Sequence, residues 1–184
     1  MKLILVRHGH DLSPEHPEAE HRLSRQGEQQ ARDIGEKLVA LGITEIDIAM
    51  SSQEKRCVET LDQIQTTVTL LERRTSRRLN SEPRSNDLSA ELLDCWENQH
   101  QTVLFVSHEP SLSDAVLSWC GLPENGAPES SPDPWVLMRG EAMIVSPERA
   151  EPPYDIKLDP DSITILGRQR GLPFNNSIAR AGVF

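Results

Sequence analysis

The sequence predicts a single three-layer α/β domain, a mostly parallel sheet with helices on both faces, and two patterns predict it. Two short, continuous apolar runs, Leu3-Ile4-Leu5-Val6 and Val103-Leu104-Phe105-Val106, and a third, Ile46 to Met50, interrupted only by Asp47, have the length and hydrophobicity of buried strands. Each is followed by a stretch with helical spacing, and strands alternating with helices pair in parallel. The 184 residues suffice for one domain with a substantial core.

Taken in order, residues 3–6 form the first strand, and the Pro-, Glu- and His-rich stretch His10 to Leu23 is an exposed loop. Ser24 is suited to cap a helix running to Leu41, with Ala31, Ile34, Leu38 and Leu41 on one face and Gly42 as its stop. Residues 46–50 form the second strand. Ser52 can cap a helix carrying Arg56, Cys57, Thr60, Leu61 and Ile64, placing Arg56 about one turn in. The segment Glu72 to Arg84, with Arg73, Arg74, Arg77 and Arg78, reads as a solvated helix end and loop, because charge runs are usually exposed faces. Leu88, Leu92, Leu93 and Trp96 outline a short amphipathic helix before strand 103–106, and Leu112, Ala115, Val116 and Trp119 outline another, ended by Gly121.

Residues 1–121 thus hold the regular elements. Residues 122–184 form a Pro-rich C-terminal part in which Ala142 to Val145 and Ile163 to Leu166 are further strands at or near an edge.

Charge and composition exclude several classes. A net charge of −10 is unsuited to nucleic acid or an anionic membrane surface, both of which need a basic face. It does not prevent a small positive pocket, and the contrast would focus that pocket's field on an anion. No stretch could span a bilayer, and the apolar run before Arg7 is too short for a signal peptide. Cys57, Cys95 and Cys120, odd in number and widely spaced in helical segments, are expected to be reduced, buried thiols of a cytoplasmic protein.

In an open α/β sheet the ligand crevice lies outside the carboxyl ends of the strands. Parallel pairing would therefore bring Arg7-His8-Gly9, Ser51-Ser52 with Arg56, and Ser107-His108 to one place. Two arginines and two histidines there suit a phosphoryl group, whose three equatorial oxygens need cationic clamps. Arginine supplies a planar, permanently charged fork. A histidine held neutral by neighbouring arginines can attack phosphorus. Ser52 and Ser107 fit caps or loop hydrogen bonds better than nucleophiles.

Arg7-His8-Gly9 after the first strand, the stretch Leu23 to Ala31 opening a helix, Ser51-Ser52 followed by Arg56 and Thr60, and Ser107-His108-Glu109-Pro110 after a late strand together resemble the histidine phosphatase superfamily. The short insert between the second and third sets resembles the SixA-type phosphohistidine phosphatase branch. The resemblance implies a phosphoglycerate mutase-like fold and a two-step phosphatase. His8 would be the nucleophile, Arg7, Arg56 and His108 would bind the phosphoryl group, and no cofactor or metal would be needed. Glu109 is the expected proton donor, with Glu82, Asp87 and Glu91 in the interval where the mutase branch carries its acid. A departing imidazole needs little help from an acid. The mutase-type residues after RHG are missing, since His10-Asp11-Leu12 stands there.

The expected substrate is protein-borne phosphohistidine, which an open pocket would suit. The alternatives are a small phosphomonoester, such as a sugar phosphate or phosphoglycerate derivative, and a non-catalytic phosphate-binding domain. Pocket walls would come from residues 10–23, 80–91 and 122–140, and the oligomeric state is left open. A rival metal hydrolase would use His8-Gly9-His10-Asp11 with His16 and His21 near. The acid stands one residue too early for metallo-β-lactamase-like spacing, and the chain is too short for a TIM-barrel hydrolase. His10, His16 and His21 then read as loop residues, His21 a possible phosphate neighbour, and His100 as a surface turn.

Overall fold

The computed structural model describes residues 1–12, 21–81, 87–121, 136–149 and 156–167. His16, Glu82, the proline-rich stretch 122–135 and the C-terminal residues 168–184 lie outside them.

Six strands form a mixed sheet in the order β3-β2-β4-β1-β5-β8. These are β1 (Lys2–Arg7), β2 (Glu45–Ser51), β3 (Thr69–Thr75), β4 (Thr102–Ser107), β5 (Ala142–Val145) and β8 (Thr164–Leu166); a separate ribbon pairs β6 (Glu148–Arg149) with β7 (Ile156–Lys157). Strands β3, β2, β4 and β1 run parallel, and β5 pairs antiparallel with both β1 and β8. The two C-terminal strands thus lie where the sequence predicts them, β8 at the edge and β5 beside it.

The alternation of side chains in β1 sorts them between two cores. Leu3 and Leu5, with Val103 and Phe105 of β4, face a cluster completed by Leu88, Leu92 and Cys95 of α3 (Asp87–Glu97) and by Leu112, Val116 and Trp119 of α4 (Ser111–Trp119). Ile4 and Val6, with Leu104 and Val106, face Ala31, Ile34 and Leu38 of α1 (Arg25–Ala40) and Cys57, Leu61 and Ile64 of α2 (Lys55–Ile64). This gives the three-layer α/β/α architecture. Each fully buried aliphatic side chain contributes about 1.5–3 kcal/mol. The helix stops fall as expected, with Gly42 and Gly121 both at positive φ.

Three expectations are corrected. Leu41 is not on the buried face of α1; it follows the last helical residue and is 54% exposed. Helix α2 begins at Lys55 after Glu54, so Ser52 does not cap it and Arg56 is its second residue rather than a turn in. The arginine-rich stretch is not a helix end. Its first part is the edge strand β3, whose residues have partner backbone on one side only and whose charges face water, as suits an unpaired edge.

Strands β1 and β4 are neighbours, in register from Lys2 opposite Thr102 to Arg7 opposite Ser107. The helices that follow them pack on opposite faces, α1 on one and α4 on the other. Adjacent strands whose chains diverge in this way open a crevice at their carboxyl ends.

Candidate functional site

The crevice holds the side chains that the sequence assigns to it. The His8 N–H donates to the Ser107 carbonyl at 3.2 Å, and the Ser52 N–H to the Val106 carbonyl at 3.0 Å, so the three strand exits are stitched level. The His8 and His108 rings stand with centroids 5.1 Å apart. Both are buried, at 4% and 2% exposure.

His8 Nδ1 lies 2.8 Å from the carbonyl oxygen of Gly9. A carbonyl only accepts, so the hydrogen-bond network assigns the proton to Nδ1 and leaves Nε2 with its lone pair. Burial, with added repulsion from Arg56 and His108 and against the pull of the Gly9 carbonyl, pushes the His8 pKa down to about 4. The imidazole is therefore neutral near pH 7.

His108 sits among α2 and its approach. Its Nε2 lies 3.1 Å from Ser52 Oγ and 3.2 Å from Glu54 Oε1, with Cys57 Sγ at 3.4 Å. Ser52 Oγ gives its own proton to Asn80 Oδ1 at 3.0 Å, so His108 donates from Nε2. Burial lowers the His108 pKa to about 4 although Glu54 opposes the shift.

Arg56 lies between two carboxylates, Nη1 3.1 Å from Asp11 Oδ2 and Nη2 2.5 Å from Glu54 Oε2. Arg7 donates from Nη1 to the Leu137 carbonyl at 2.7 Å. A third guanidinium, Arg139, reaches Asp11 Oδ1 at 2.7 Å while staying 44% exposed. Asp11 is costly to bury as an anion, but Arg56 and Arg139 outweigh that cost and hold its carboxyl below its ordinary range. Among the described residues three buried nitrogens, Arg7 Nε, Arg56 Nε and His108 Nδ1, have no hydrogen-bond partner. Buried polar groups are nearly always satisfied, so such a cluster marks a place built for a ligand.

Glu109, expected as proton donor, is engaged elsewhere. Its Oε1 accepts from the Leu137 N–H at 2.7 Å, and its Oε2 accepts from the Ser113 N–H and Oγ–H at 3.1 and 2.8 Å. Burial raises its pKa all the same. The carboxylate ties the start of α4 to the 137–141 turn, whose Gly140 N–H donates to the His8 carbonyl at 3.1 Å.

Gly9 answers to packing. Its N–H donates to Thr60 Oγ1 at 3.0 Å, and a Cβ there would stand 2.6 Å from the Gly27 carbonyl oxygen. A Cβ on Gly27 would in turn meet the His10 carbonyl at 2.1 Å. The two glycines let the start of α1 lie directly on the loop that carries His8. Ser24 caps that helix, accepting from the Gly27 N–H at 3.1 Å.

Among the described residues, the remaining histidines do not converge. His10 Nδ1 pairs with Ser24 Oγ at 2.9 Å, and His21 is exposed. Among the described residues no group of three or more His, Cys, Asp and Glu side chains is placed to hold a metal ion. Asp87 opens α3; Glu91 lies farther along it, bonded to Ser76 Oγ.

Three members of the site carry no assignment from the sequence, Glu54, Asp11 (except as a metal ligand) and Arg139, while Thr60 belongs to the motif around Arg56 without an assigned role. Glu54, at the strand exit two residues before Arg56, had a usable signal. Arg139 had none, because only the antiparallel return of β5 beside β1 brings its turn in.

Residues 3–81 match the histidine phosphatase superfamily (branch 1). No curated protein matches the sequence. Similar solved structures include the protein histidine phosphatase SixA complexed with tungstate, at 18% identity and TM-score 0.68 over 86% of this chain and 94% of that one. A putative phosphohistidine phosphatase SixA from Nakamurella multipartitia follows at 17% identity and TM-score 0.66, over 90% and 95%. A mycobacterial glucosyl-3-phosphoglycerate phosphatase complexed with VO3 gives 17% identity and TM-score 0.61, over 86% and 97%. The expected phosphoglycerate mutase-like fold and the resemblance to the superfamily are both borne out.

Proposed function

We propose that this chain is a phosphatase of the histidine phosphatase superfamily that passes a phosphoryl group to His8 and then to water. The observation that carries this reading is the set of partnerless buried nitrogens on Arg7, Arg56 and His108 around a histidine with a bare Nε2. A tetrahedral oxyanion supplies acceptors for the two guanidinium nitrogens and, once His108 is protonated, for its Nδ1, and the low pKa keeps the nucleophile unprotonated.

In the first step the His8 Nε2 lone pair attacks phosphorus in line with the leaving atom, while Arg7 and Arg56 hold the equatorial oxygens. A bound dianion raises the proton affinity of His108, which then joins the clamp as a cation. In the second step water attacks phospho-His8, and inorganic phosphate leaves. The charge stabilisation comes from side chains, so neither step calls for a cofactor.

For the substrate, protein phosphohistidine is the first reading, supported by the likeness to the two SixA structures. A small phosphomonoester is the second, supported by the likeness to glucosyl-3-phosphoglycerate phosphatase and by half-exposed Arg139, which could meet a second anionic group. A non-catalytic phosphate-binding role is disfavoured by the primed state of His8.

The test compares phosphohistidine protein, sugar phosphates and an aryl phosphate, with and without EDTA. Turnover is expected to persist in EDTA, to vanish in His8→Ala and to be fastest on phosphohistidine. Faster turnover of a sugar phosphate would transfer the assignment to the second reading. EDTA-sensitive turnover that survives His8→Ala would overturn both.

A further inference from the structure

We propose that Glu54 is the residue that gives a proton to the leaving group and later takes one from the attacking water. The proposal rests on His8 being the nucleophile and names the acid–base partner for that reaction. Three carboxylates surround the described part of the site. Asp11, 8% exposed, is held by Arg56 and Arg139. Glu109 accepts from three protein donors.

Glu54 is held as well, and although burial opposes the shift, hydrogen bonds from Ser81 and attraction to His108 and Arg56 keep its carboxyl below its ordinary range; it differs from both in what it touches. It touches the two groups assigned to the phosphoryl oxygens, Arg56 Nη2 at 2.5 Å and His108 Nε2 at 3.2 Å, and accepts from the Ser81 N–H at 2.9 Å. Its side chain is 25% exposed, enough to exchange protons with water. It also precedes α2 directly without forming a side-chain capping bond; the carboxylate has turned from the helix to the crevice.

A phosphoryl dianion bound against Arg56 Nε and His108 Nδ1 draws on the Arg56 charge that otherwise holds Glu54 as an anion and puts like charge beside it. Like charge raises its proton affinity, and it takes a proton from solvent. As the Nε2–P bond of His8 forms and the bond from phosphorus to the leaving oxygen breaks, Glu54 donates that proton to the departing oxygen. In hydrolysis a water oxygen bonds to phosphorus, Glu54 accepts the water proton, and the N–P electron pair returns to His8. Phosphoester and water become alcohol and phosphate, with Glu54 again protonated.

The test reads alcohol or phenol release in a single turnover, so that hydrolysis does not intrude, from an alkyl phosphate and from nitrophenyl phosphate. Glu54→Gln is expected to slow alkyl release by about 10²–10⁴-fold and nitrophenyl release by less than about 10-fold, since the phenolate departs unaided. Formate added to Glu54→Ala should restore alkyl release selectively, a response that loss of structure would not give. Equal losses on both substrates, or the selective loss appearing in Glu109→Gln instead, would overturn the proposal. Release from the wild type that persists in His8→Ala would refute the nucleophile, a separate failure.

Discussion

Two parts of this molecule are rich in arginine, and they behave as opposites. In the crevice, Arg56 is 15% exposed between Asp11 and Glu54, and Arg7 bonds a backbone carbonyl. Along β3 and the short turn after it, Arg73 pairs with Asp62, Arg74 with Glu72 and Arg78 with Asp94, at 31%, 57% and 48% exposure. Water screens the second group, and such pairs contribute about 0–1 kcal/mol. The first group works in a dry place where charges interact strongly and leaves nitrogens unpaired for a ligand. Burial and geometry, rather than residue type, separate a clamp from a solvated edge.

The largest expected difference comes from removing one arginine of each kind. On the proposed mechanism Arg56→Ala should lower kcat by roughly 10³-fold or more, since it strips a charge assigned there to the transferring group. Arg73→Ala should change it by less than about twofold. Comparable losses in steady-state assays would erase the distinction.

Packing beneath the crevice comes next. Gly27→Ala places a methyl against the His10 carbonyl, with backbone on both sides of the contact. The cost should be about 1–3 kcal/mol in denaturant unfolding. Displacement of the His8 loop should cost about 10²-fold in kcat. Unfolding and turnover like the wild type would show that α1 does not hold that loop in place.

The sequence made much of this legible and hid some of it for physical reasons. Buried parallel strands are largely apolar runs, so β1, β4 and, despite Asp47, β2 stand out, and their parallel pairing brings the stretches carrying Arg7, His8, Arg56 and His108 to one end of the sheet. Strand β3 is missed because its second part is Glu72, Arg73, Arg74 and Thr75, polar residues at an edge that carry no apolar signal. Ser52 looks like a cap because its hydroxyl does accept a backbone N–H; that N–H belongs to Glu54, before the helix. Glu109 looks like an acid from its place after His108, whereas its role as a tie depends on Leu137, distant in sequence.

A subtler contrast lies in pH. Both crevice histidines are buried neutral, with pKa values near 4 against an ordinary 6.5. Between those values the unfolded chain binds protons that the folded chain refuses, so stability is full above pH 6.5 and falls as pH drops toward 4. Melting temperature should decline through that window, and the slope should flatten in the double variant His8→Asn/His108→Asn. Identical slopes would mean that these rings are not held neutral.

The smallest effect is expected at the solvated edge. Arg78→Ala loses an exposed pair with Asp94 and should shift stability by less than about 0.5 kcal/mol in thermal unfolding. A larger shift would show that this edge is more than a water-facing surface.

The most direct measurement is to mix the protein with a phosphorylated substrate, quench within one turnover under conditions that preserve phosphoramidates, and locate the phosphoryl group by mass spectrometry of the digest. The account predicts a phosphoryl group on His8 that disappears as inorganic phosphate is released. Label on another residue, or full turnover with no label on His8 at any quench time, would contradict it.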